Sequence, residues 1–91
     1  MNLSFTWDAE ANGWISEEFT IDSEAVVHIA LTELSPVVTL KQMDDGDWAN
    51  YGQTPDESDQ YHIAICPSHE MRLRLASPVR VKKCTVLVDS L

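Results

Sequence analysis

Residues 71–78 read Met71-Arg72-Leu73-Arg74-Leu75-Ala76-Ser77-Pro78, and this stretch decides the fold. Met71, Leu73 and Leu75 alternate with Arg72 and Arg74, the clearest period-two signal in the chain. Successive side chains of a strand point to opposite faces, so this alternation marks a strand with one face buried and one wet. Ser77-Pro78 ends it, because proline has no N–H to donate and restricts the residue before it.

The same period extends outward in both directions. Toward the C-terminus, Val79 and Val81 fall on odd positions, whereas Cys84, Val86 and Val88 fall on even ones. A phase slip at Lys82-Lys83 is what a β-bulge produces. Toward the N-terminus, Pro67-Ser68-His69-Glu70 reads as a turn, preceded by Tyr61, Ile63 and Ile65 alternating with His62 and Ala64. Residues 52–59 form the one long polar loop. Trp48 to Tyr51 and Val37 to Met43 read as a hairpin across Asp44-Asp45-Gly46-Asp47. Ser35-Pro36 breaks the run before it. Ala25 to Leu34 is the longest apolar stretch, and its weakly polar faces predict a central strand covered on both sides. A helix over 23–34, capped by Ser23, is the rival reading, but the β-branched residues favour a strand. Trp14 to Ile21 reads as a strand with Phe19 and Ile21 on one face. Asn12-Gly13 suits a two-residue hairpin turn back to Leu3, Phe5 and Trp7.

About seven to eight short strands, spaced by turn signals, predict an all-β chain. The expected fold is a single antiparallel β-sandwich or jelly-roll-like barrel spanning residues 1–91 as one domain. Its 91 residues exclude the large nucleotide-binding and barrel enzyme architectures.

The net charge is −9, unevenly placed. Residues 1–59 hold 13 acids and one base, Lys41; residues 60–91 hold five bases and two acids. An acidic chain repels phosphate backbones, so no nucleic-acid partner is expected. The basic third reads as a strand face lying beside acidic neighbours of the same fold, or as a surface that meets the acidic part of another copy. No signal-like or membrane-spanning run of about 20 apolar residues is present, which predicts synthesis in the cytoplasm and no membrane partner. Cys66 and Cys84 sit in apolar stretches and read as buried free thiols rather than a disulfide framework.

The chemistry-bearing residues form no recognisable catalytic set. His62, Cys66 and His69 are three borderline ligands, but His62 and Cys66 on one strand stand about 13 Å apart at ordinary strand rise. Asp44-Asp45-Gly46-Asp47 lacks the length and late glutamate of a calcium loop. Glu17 and Glu18 must point to opposite faces of a strand. No serine lies in a nucleophile elbow, Cys66 lacks an activating setting, and no glycine-rich phosphate loop exists. The expectation is therefore a non-enzyme with no catalytic residue, no cofactor and no metal site. A metal-dependent jelly-roll enzyme would need His28, His62 and His69 to converge. The rings of Trp7, Trp14, Trp48, Tyr51 and Tyr61 read chiefly as core, then as interface, then as a carbohydrate platform.

Three segments carry a family resemblance: Trp14-Ile15-Ser16-Glu17-Glu18-Phe19, Asp45-Gly46-Asp47-Trp48, and the stretch Met71 to Pro78. Over residues 14–88 the chain resembles small phage and prophage β-sandwich proteins found with virion head or fibre components. In such proteins an aromatic-led strand opens the domain, a Gly-Trp hairpin follows, and an alternating basic strand runs into a Ser-Pro turn. The resemblance implies a non-enzymatic structural or decoration role, virion-associated, with homo-oligomers, often trimers, or other virion proteins as partners.

The resulting expectation is a non-catalytic, self-associating module. Trp48, Tyr51, Arg72 and Arg74 are its expected docking residues. The alternative is a carbohydrate-binding module that uses Trp14, Trp48 and Tyr51 on one face.

Overall fold

The computed structural model describes residues 1–21, 23–65 and 72–88. Among them are eight strands: β1 (Phe5–Asp8), β2 (Gly13–Ser16), β3 (Ala25–Leu31), β4 (Val38–Gln42), β5 (Trp48–Gln53), β6 (Gln60–Ile65), β7 (Leu73–Ser77) and β8 (Val81–Val88). All described pairings are antiparallel. One sheet has the order β1-β2-β7-β4-β5 and the other β6-β3-β8. No described helix is long and apolar enough to cross a membrane.

The strand order is that of a jelly roll. Strands β2, β7, β4 and β5 make one sheet, and β8, β3 and β6 alternate with them in the other. The missing fourth member of the smaller sheet is the start of the chain. Leu3 N donates to Cys84 O at 3.0 Å and Val86 N to Met1 O at 2.7 Å, so residues 1–3 run along the free edge of β8. The chain then passes to the larger sheet as β1. One N-terminal segment thus closes the end of both sheets, which limits the exposed strand edge on that side.

The core follows from alternation. In β3, Ala25, Val27, Ile29 and Leu31 are buried. In β7, Leu73 and Leu75 face them from the other sheet, joined by Val37, Ile65, Cys84 and Val86 in one cluster. Removing such side chains from water is the main stabilising term of a chain this small. The predicted bulge lies in β8: Ala30 pairs with Lys83 but Leu31 with Val81, so the ladder skips Lys82.

Three expectations change here. The strand expected over 14–21 ends at Ser16, because the Ser16 hydroxyl is buried and engages the backbone of Glu17 and Leu75. Phe19 then makes one isolated bridge to Leu73, and Phe19 and Ile21 still reach the core. The hairpin at Asn12-Gly13 is longer than two residues, since Asp8 pairs directly with Gly13. Asn12 takes the positive φ of 52°, and Asp8 Oδ1 accepts from the amides of Glu10 and Ala11. Gly13 lies in the strand, where an added Cβ would stand 3.0 Å from Ser77 O. Finally, β3 is central but covered on one side alone: a two-layer sandwich leaves Val26 and His28 exposed. The apolar run reflects the exposed Val26 and the half-buried Ala30, not a third layer.

The aromatic rings also sit differently. Phe19 is in the core and Tyr61 packs against it. Trp14 and Trp48 are half-buried, and Trp7 and Tyr51 are exposed. Trp7, Trp48 and Tyr51 lie on the outermost strands of the larger sheet, β1 and β5, where part of each ring stays in contact with water.

Candidate functional site

The outer surface of the smaller sheet is a grid set by register. Val26 pairs with Ala64 on one side and Leu87 on the other; His28 pairs with His62 and Thr85; Ala30 pairs with Gln60 and Lys83. Side chains directly opposite in antiparallel strands lie about 4.5–5.5 Å apart at Cβ, so these three rows are contiguous. None of the nine residues is acidic, and Lys83 is their single cation. Val26 is 38% and Leu87 50% exposed. Gln60, His62, Lys83 and Leu87 line one shallow depression with His28.

At the centre of this grid the imidazoles of His28 and His62 stack, with ring centroids 4.0 Å apart and planes 18° from parallel. The pair stands 34 positions apart in the sequence and meets through strand register alone. His69 and Cys66 lie outside the described residues, as does the spacing motif that links them to His62. Among the described residues, no group of three or more His, Cys, Asp or Glu is placed to hold a metal ion.

The expected docking residues divide between two places. Arg74 Nη2 donates to Glu18 Oε1 at 3.0 Å, and Arg72 Nη1 lies 3.7 Å from Glu18 Oε2. The Arg74 guanidinium also lies over the Trp48 ring, 4.5 Å from its centroid. Trp48, Arg72 and Arg74 therefore form one cluster on the outer face of the larger sheet, and their charges are engaged within the chain. Stacking of this kind is a sequence-distant cation–π contact of moderate strength. Tyr51 belongs elsewhere. The register shifts between Thr39 and Leu40, and Tyr51 lines the gap between the sheets with Val37, Thr39 and Ile63. Lys41 Nζ lies 5.9 Å from its ring centroid.

Trp14 occupies a third place. It meets Trp7 edge to face at 5.7 Å, and Arg80 lies over it at 5.6 Å. Trp14 pairs with buried Ser77, whereas Trp48 pairs with Gln42 on the opposite pleat, so the two rings sit on opposite faces of the larger sheet. A flat sugar cannot stack on Trp14, Trp48 and Tyr51 together.

The described cysteine, Cys84, is buried at 3% exposure, and desolvation pushes its thiol up to about 12. Such a thiol is a small apolar core group and not a nucleophile. No protein-family model matches the chain, and no curated protein or solved structure is significantly similar to it.

Proposed function

We propose that the chain is a non-catalytic interaction module that docks on a second copy of itself through the outer face of the β6-β3-β8 sheet. The observation that carries this reading is the acid-free grid in a chain of net charge −9. Two copies approaching by most other surfaces bring carboxylates together. Approach by this face brings together Val26, Ala64 and Leu87, which gain from leaving water, and side chains with little charge to repel.

The other large face supports the choice. On the larger sheet, Glu18 already pairs with both Arg72 and Arg74, and Ile15, Val38 and Ala76 are half-buried rather than open. A surface patch used against itself gives a closed two-fold pair, in place of the trimer that the phage-protein resemblance implies. A building-block role of the virion type fits a small jelly roll that pairs in this way.

Three strands by five residues cover on the order of 300 Å², well under the roughly 800 Å² per partner of a standard stable interface. The pair is therefore weak and forms at high local concentration. Sedimentation velocity in a chelator-containing buffer tests this. The expected result is a concentration-dependent shift toward a pair, abolished by Leu87→Asp, which places a carboxylate in the apolar row. A strictly monomeric wild type at millimolar concentration, or pairing that Leu87→Asp leaves intact, overturns the reading.

A further inference from the structure

We propose that His28 and His62 are half of a zinc site, completed by the same two residues of a second copy across the face described above. This inference rests on the self-docking reading and adds a metal to its centre.

Three observations combine. First, the two imidazoles are directly opposite in register on adjacent strands, both exposed, with ring centroids 4.0 Å apart. Neutral imidazole nitrogen is a good zinc ligand at about 2.0–2.1 Å, and two nitrogens of one tetrahedral ion stand about 3.3 Å apart. The rings stand close enough side by side for this, and chelation requires rotation about their side-chain torsions to turn one lone pair of each toward a common point above the sheet. Second, the pair cannot satisfy zinc alone. A closed zinc site takes four protein ligands, and no third His, Cys, Asp or Glu is placed beside these two among the described residues. Third, the pair lies in the middle row of the docking face, on the central strand β3 and its neighbour β6. A two-fold axis lying between two such faces and passing over the pair brings four imidazoles to one point. A pair placed at a corner of the face would not do this.

The small area of the face gives the metal a purpose. Four zinc–imidazole bonds at the centre hold together a patch too small to pair stably by burial alone. The groups around the pair are Thr85, Gln60 and Lys83, with Val26, Ala64 and Leu87 beyond. Among the described residues of the grid no carboxylate competes for the ion, and Lys83 is its one cation. Each imidazole must be unprotonated to bind, so acid releases the metal and separates the pair.

The test uses the full chain at about 50 μM, below the concentration at which metal-free pairing is appreciable. Light scattering is read in EDTA and then in zinc chloride, with bound zinc measured after gel filtration. The expected result is a zinc-driven pair holding one zinc per two chains, lost in His28→Gln and in His62→Gln while their far-ultraviolet dichroism matches wild type. Return to pH 5 should dissolve it. A monomer with one zinc per chain, no bound zinc, or a zinc-driven pair that survives in both variants each overturns the proposal. The effect of Leu87→Asp in EDTA at high concentration bears on the self-docking reading alone. The zinc-dependent increment and its loss in the histidine variants bear on the metal.

Discussion

The Ser16 hydroxyl marks the point where β2 ends. It is buried, donates to Glu17 O at 2.8 Å, and accepts from Leu75 N at 2.9 Å. In Ser16→Ala the Leu75 amide stays buried without an acceptor, which costs about 1–3 kcal/mol. Urea unfolding of the variant should show that loss with an unchanged slope. Cys84 makes a second residue-level case. Its folded thiol is raised from 9.0 to about 12, so below pH 9 it is neutral in both the folded and unfolded chains. Above that, the unfolded chain ionises first, and the stability linked to Cys84 is lost as pH rises from 9 toward 12. The stability difference between wild type and Cys84→Ala should therefore shrink from pH 8 to pH 10.5, and thiol reagents at pH 8 should spare Cys84 in the folded protein. Neither feature is legible from the sequence beyond the apolar setting of Cys84. A serine that ends a strand looks like any other polar position in an alternating run.

Tyr61 organises the polar loop between β5 and β6. Its ring packs against the core, while its hydroxyl donates to Pro55 O and accepts from the amides of Glu57 and Ser58. Tyr61→Phe keeps the packing and removes all three bonds. It should lower stability by about 1–2 kcal/mol and speed amide exchange at Glu57 and Ser58. On the outer face of the larger sheet, Arg74 ties β7 to β5 through Trp48 and to the segment after β2 through Glu18. Arg74→Lys retains the charge but loses the flat stacking surface, so Trp48 fluorescence should shift to the red. The elements themselves were legible because alternation and turn residues agree: β4 to β7 fall close to where period two puts them, and the slip at Lys82 is a bulge. Contacts between distant strands were not. His28 with His62 and Arg74 with Trp48 depend on pairing and stagger, which one strand's pattern does not encode.

At the scale of the whole molecule, charge and topology act together. The basic C-terminal third was expected to lie beside acids of the same fold or to meet another copy, and the Glu18 ion pairs with Arg72 and Arg74 take the first course for two of its five cations. The jelly-roll order brings nine described residues without an acid together on one sheet face, in a chain of net charge −9. In the proposed pair, long-range repulsion opposes association while the face itself favours it. Raising salt from 0.05 to 0.5 M shortens the screening length and should strengthen the pair, which sedimentation equilibrium can read. An interface built from acidic segments meeting basic ones would weaken instead. The most direct test of the docking face is residue-resolved: ¹H–¹⁵N spectra of the metal-free protein recorded from 20 μM to 1 mM. The account predicts concentration-dependent shifts at Val26, His28, Ala30, His62, Ala64, Thr85 and Leu87. Shifts confined to Trp48, Arg72 and Arg74, or none at all, would contradict it.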